Sequence, residues 1–145
     1  MKRQLTKIGF AFLIVLGILL IYGVVTHYDR AERKYYSDKS NFVTVTAEVT
    51  YIRYHDDGTG ATLAVMGLPE GFSDNNFKIV GQNWIIAEGK GIREKLHLGD
   101  EITFVTASGY FGDGYIMPIA ALTIGDEIVL EFEQGYLNFM EWLEE

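Results

Sequence analysis

Two periods of apolar residues divide the chain. From Phe42 the period is two: Val43, Val45, Ala47, Val49 and Tyr51 fall on one face, with Thr44, Thr46, Glu48 and Thr50 on the other. That is the signature of a long, half-buried strand. "HDDGTG" at 55–60 reads as a turn, and Ala61 to Met66 alternates again with Leu63 and Val65 inward, so the two strands form a hairpin. A loop of turn formers leads into a third short strand, "FKIV". Asn83 is placed to cap a short helix over Trp84 to Lys90, and Gly91 to end it in the left-handed conformation. "EITFVTA" at 101–107 is a fourth strand with Ile102 and Phe104 prominent, and Tyr115 to Thr123 is a fifth. "IGDEIVL" at 124–130 repeats the Gly-Asp entry of "LGDEITF" at 98–104 and adds a further hairpin through Gly125-Asp126.

The order strand, strand, strand, helix, strand, strand is that of the OB-fold, a five-stranded Greek-key barrel. The expected fold class is therefore mainly β: an N-terminal transmembrane helix, a small OB-like barrel with one short internal helix, and a C-terminal helix. In "EFEQGYLNFMEWLEE" the residues Phe132, Tyr136, Phe139, Met140 and Leu143 share a helical face expected to close one end of the core, with a docking face for a partner as the alternative.

The amino end follows a different rule. Ile8 to Val25, "IGFAFLIVLGILLIYGVV", carries no charge, and at ~1.5 Å per residue it reaches about 27 Å, close to the hydrocarbon thickness. A cleaved signal peptide is the competing reading, but its apolar region is shorter and ends in small residues, whereas "VVTHYDRA" offers only a poor site. Lys2, Arg3 and Lys7 precede the apolar run in a very short tail. Arg30, Arg33, Lys34 and Lys39 follow it, diluted by Asp29, Glu32 and Asp38. The compact cluster in the tail favours tail inside and domain outside. The chain divides by pattern into a tail and anchor (1–26), a juxtamembrane stalk (27–41) that continues the helix, and a β domain (42–145).

Charge narrows the partners. All 20 carboxylates but only part of the 12 lysines and arginines lie beyond the apolar run. A domain this acidic repels phosphate backbones, so nucleic acid is not an expected partner. With no cysteine there is neither disulfide nor thiolate chemistry.

"FKIVGQNWIIAEGKG", "LGDEITF", "GYFGDGYIMPIAAL" and "FEQGYLNFMEWL" together resemble an uncharacterised group of small membrane-anchored Firmicutes proteins. The likeness covers roughly residues 75–143. It implies an OB-like domain outside the membrane and carries over no catalytic residue.

Candidate chemistry is sparse. Gly109, Gly112 and Gly114 are spaced G-x-x-G-x-G between strands, with no Lys or Arg from Ser108 to Ala121, which suits a hairpin turn at Asp113-Gly114 and not a phosphate cradle. Tyr110, Phe111, Asp113 and Tyr115 crowd that turn. As surface residues they form the leading candidate contact for a ligand or partner, with Tyr136 and Trp142 second; the bland reading is that the aromatics cap the barrel end. His55-Asp56-Asp57 gathers three possible metal ligands, yet a polar hairpin explains them, and Asp74-Asn75-Asn76 reads as a loop. Ser37, Ser40, Ser73 and Ser108 stand in no nucleophile motif.

The expectation is a non-catalytic binding module without a cofactor, displayed outside the cell membrane, with an envelope protein or a neutral or cationic ligand as partner. A structural subunit of a membrane complex held mainly through its transmembrane helix is the alternative. A metal-dependent enzyme built on Asp56 and Asp57 comes third.

Overall fold

The computed structural model describes residues 2–108 and 117–145, with side chains from residue 12 onward. The chain forms two compact units, Met1–Lys34 and Tyr35–Glu145. Helix α1, Lys2–Ser37, contributes to both. From Phe12 this helix is long and apolar enough to cross a membrane, with a mean hydropathy of 1.8 and no part of that window buried. Within it the Thr26 hydroxyl donates back to the Tyr22 carbonyl at 2.9 Å.

In the second unit the end of α1 leads through a 3-10 turn, Lys39–Asn41, into a six-stranded sheet. The strands are β1 (Val43–Tyr54), β2 (Gly60–Met66), β3 (Asn76–Val80), β4 (Glu101–Thr106), β5 (Ala121–Ile124) and β6 (Glu127–Leu130). Helices α2 (Gly81–Gly89) and α3 (Ile92–Lys95) lie between β3 and β4, and α4 (Phe132–Trp142) closes the chain. The spatial order is β3-β2-β1-β4-β5-β6, and all the paired strands are antiparallel. Just before β5 the chain also meets β3 in a parallel bridge between Lys78 and Pro118. The Lys78 amide donates to the Met117 carbonyl at 2.9 Å and the Ile119 amide to the Lys78 carbonyl at 2.8 Å. Pro118, which has no amide to give, sits between the two bonds.

β1 is long enough to serve two neighbours. Its first half pairs with β4 from Val43 to Glu48, and its second with β2 from Glu48 to Tyr54. The register to β2 slips between Val49 and Tyr51. This bulge inserts Thr50 and reverses the alternation. Val45, Ala47 and Val49 are buried before it; after it Ile52 and Tyr54 turn toward the core and Tyr51 becomes exposed. Strict alternation puts Tyr51 on the buried face, and the extra residue is why that assignment fails.

Two further expectations are corrected. The class is not mainly β, because helix outweighs strand among the described residues, α1 alone supplying 36. Asn83 is not a cap: α2 starts at Gly81, two residues earlier, with no side-chain cap bond. Asn83 instead lies buried inside that helix, its amide donating to the Gly135 carbonyl at 2.8 Å and accepting from Asn138 at 2.9 Å. The same expectation holds at the other end, where Gly91 adopts φ +76°.

The core has two parts. Leu63, Phe77, Ile79, Trp84, Ile102, Phe104 and their neighbours fill the space between the sheet and α2, with Phe77 and Phe104 edge to face at 4.8 Å. A smaller cluster joins Tyr36, Val80, Ala107 and Phe139 under α4. Tyr36 is fully buried, its ring edge-on to Phe139 at 5.1 Å. Gly135 lets α4 lie against the chain before β5, since a Cβ there would overlap the Ala120 carbonyl.

Candidate functional site

The side chains of β1, β2 and β3 that point away from the core form one polar face. The register aligns Arg53 with Thr62 and Thr62 with Lys78, a row across three strands spaced about 4.8 Å apart. Their chain neighbours Ile52, Tyr54, Leu63, Phe77 and Ile79 all pack into the core, which fixes the outward direction of the row. One step along lies a second row, Tyr51, Ala64 and Asn76. Small residues on the middle strand thus run between longer ones on either side.

The groove at the Arg53–Thr62–Lys78 end has a volume of about 580 Å³ and is completed by His55, Asp56 and Asp57 from the β1–β2 turn. The turn is built by its own residues. Gly58 supplies φ +71°, the His55 amide donates to the Gly60 carbonyl at 2.9 Å, and Asp57 accepts the Thr59 amide at 3.0 Å and the Thr59 hydroxyl at 2.6 Å. Those two bonds from Thr59, the hydroxyl's first, hold the Asp57 carboxyl below the ordinary aspartate range, helped by His55. His55 reaches across to Thr62, with Nε2 and Oγ1 at 3.0 Å, while its Nδ1 lies 3.4 Å from the Thr59 hydroxyl.

The electrostatics are unusual for so acidic a domain. Arg53, Lys78 and Asp56 make no ion pair or side-chain hydrogen bond among the described residues, although both signs line one groove. Other surface cations do find carboxylates: Arg93 meets Glu88 at 2.7 Å and Lys95 meets Glu127 at 2.6 Å. Among the described residues no three His, Asp or Glu side chains are grouped to hold a metal ion. Chemically, the groove can present two cations, two carboxylates and a hydroxyl oriented by an imidazole.

Tyr110, Phe111, Asp113 and Tyr115 lie outside the described residues. Tyr136 is buried, its hydroxyl donating to the Ser37 carbonyl at 3.0 Å and its ring edge-on to Phe42 at 5.4 Å. Trp142 is half-buried, stacked on Phe139 at 6.1 Å and lying against Gly81, on the rim of a second cleft of about 430 Å³ shared with Gln82, Ile85 and Glu141. The row Arg53–Thr62–Lys78 does not emerge from alternation alone. The bulge at Thr50 is what turns Arg53 outward, and the paired register is what brings Lys78 beside Thr62.

No protein-family model, no curated protein and no solved structure matches the chain.

Proposed function

We propose that this chain is a membrane-anchored binding module whose OB-like domain stands outside the cell membrane and takes a ligand in the groove along β2. The strand order, the long bent β1, the helix between β3 and β4 and the parallel bridge at Lys78 support the OB-like reading. In that fold the face of the second and third strands and the loop between the first two are the usual binding surface, and here they carry the groove. The observation that carries the function is the row Arg53–Thr62–Lys78, whose charges make no ion pair among the described residues, beside an Asp56 that makes none there either. Charges left unpaired in a groove are free to pair with something else.

Binding is favoured over turnover by the position of His55. Its ring lies 3.0 Å from the Thr62 hydroxyl on one side, but the other nitrogen meets a hydroxyl at 3.4 Å and, among the described residues, no carboxylate that would orient it as a base.

The location is tested by treating intact cells with protease and following a tag fused after Glu145. Loss of the tagged domain in unbroken cells is the expected outcome. Protection until the membrane is permeabilised would sink the external placement.

A further inference from the structure

Resting on that reading of the groove, we propose that its ligand is a short zwitterionic peptide: the carboxylate lies between Arg53 and Lys78 over the Thr62 hydroxyl, and the ammonium lies toward Asp56 and Asp57. Three features of the structure lead there.

Arg53 and Lys78 stand on either side of Thr62, two strands apart, so their α-carbons are separated by about 10 Å. Both side chains are long enough to converge over the middle strand, where the Thr62 hydroxyl is held by His55 at 3.0 Å. With His55 Nε2–H donating to it, the Thr62 hydroxyl keeps its own proton for a ligand, and two cationic donors and that hydroxyl around one point suit a carboxylate, which accepts several bonds at once. Half-burial of Lys78 and Thr62 strengthens each bond by lowering the local dielectric.

The groove is not purely cationic. Asp56 and Asp57 border it in the turn, and Asp57 is held ionised by Thr59. An anion alone would meet those carboxylates as well as the field of an acidic domain. A ligand with a positive end converts that repulsion into attraction and brings no net charge.

Size agrees with the charges. Asp56 lies three residues beyond Arg53 along the chain, about 10 Å at full extension. An extended dipeptide or tripeptide separates its two termini by about 7–10 Å, and the groove volume of about 580 Å³ accommodates it. Exposed Tyr51 and Asn76, in the row on the other side of the carboxylate, offer a ring and an amide to the side chain of the peptide's last residue.

The test is a titration of isotope-labelled full-length protein in a polyoxyethylene detergent, which carries neither phosphate nor sugar. The Thr62 methyl and His55 ring resonances report the site, and the buried Trp84 indole reports the fold. Triglycine should shift the two site signals saturably. N-acetyl-triglycine, which lacks the ammonium, and triglycinamide, which lacks the carboxylate, should each bind about tenfold or more weakly. Arg53→Gln and Lys78→Gln should each weaken triglycine by about tenfold or more with the Trp84 signal unmoved.

Absence of saturable shifts with triglycine overturns the proposal, as does unchanged binding in both variants. Equal binding of the acetylated peptide overturns the ammonium half, because such an occupant presents only a carboxylate, as a protein C-terminus does. Inorganic phosphate binding more tightly than triglycine assigns the groove to simple anions and overturns the zwitterion while leaving a binding face. None of these outcomes bears on which side of the membrane the domain stands, which the protease experiment reads separately.

Discussion

At the scale of single residues, Tyr54 carries a cost that, among the described buried side chains, it shares only with the Trp84 indole. Its ring is held between Trp84, 5.8 Å away, and the Arg93 guanidinium, 4.5 Å above it, while its hydroxyl is buried with no hydrogen-bond partner among the described residues. Removing that hydroxyl while keeping the ring relieves the desolvation, so Tyr54→Phe should stabilise the domain by about 1 kcal/mol in chemical denaturation. Burial, with a further push from Glu94, raises the Tyr54 pKa above its ordinary 10 against the pull of Arg93. A group whose pKa is raised on folding contributes stability that is complete below its unfolded pKa and lost as pH rises through the folded value. The wild type should therefore lose stability from about pH 10 upward, and Tyr54→Phe should flatten that decline. An identical alkaline loss in both proteins would show that another group controls it. In the sequence Tyr54 is legible only as an aromatic residue near a turn; whether its hydroxyl finds a partner depends on where α2 and α3 lie.

At the scale of elements, α2 and α4 are joined by a polar seam inside apolar surroundings. Asn83 donates to the Gly135 carbonyl, Asn138 donates to Asn83, and Gln134 donates to Asn138 at 2.7 Å. Asn83→Ala removes the centre of this chain and leaves the buried Asn138 amide without its acceptor. The expected loss is about 2–3 kcal/mol, measured as a shift in denaturant midpoint with an unchanged slope. A loss below half a kilocalorie would mean that water replaces the asparagine. The elements themselves were largely readable. Alternation marks β2, β3 and β4, and turn chemistry marks the hairpin at Gly58 and the two-residue turn at Gly125, where φ is +58°. Asn83 misleads because a residue that suits a helix cap can equally satisfy a buried contact, and which use prevails is decided by α4, fifty residues later in the chain. The Thr50 bulge misleads for a related reason. An inserted residue has no composition of its own, and only the partner strand shows that β1 holds one residue too many.

At the scale of the molecule, the helical end of α1 belongs to the second unit. The apolar period of two begins at Phe42, and by that pattern the preceding polar residues read as a stalk. Tyr35 and Tyr36 nevertheless lie within the compact unit that begins at Tyr35, with Tyr36 buried against Phe42 and Phe139. Long-range packing of this kind leaves no local signal, since "RKYYSDKSN" is hydrophilic on average. A fragment beginning at Tyr35 should fold cooperatively without the apolar helix. One beginning at Phe42 should lose about 3–5 kcal/mol through the absent Tyr36 ring, seen as a lowered midpoint or as failure to fold. Equal stability of the two fragments would show that the small cluster under α4 contributes nothing.

That arrangement gives the polar helical segment a meaning for the lifetime of the protein. With α1 as the anchor proposed above, a cut on the amino side of Tyr35 releases a particle whose interior is complete, able to diffuse away with its groove intact. A cut only a few residues later, past Ser37, takes Tyr36 and the carbonyl that Tyr136 binds, and leaves an opened core exposed to further digestion. The position of one peptide bond separates shedding from destruction.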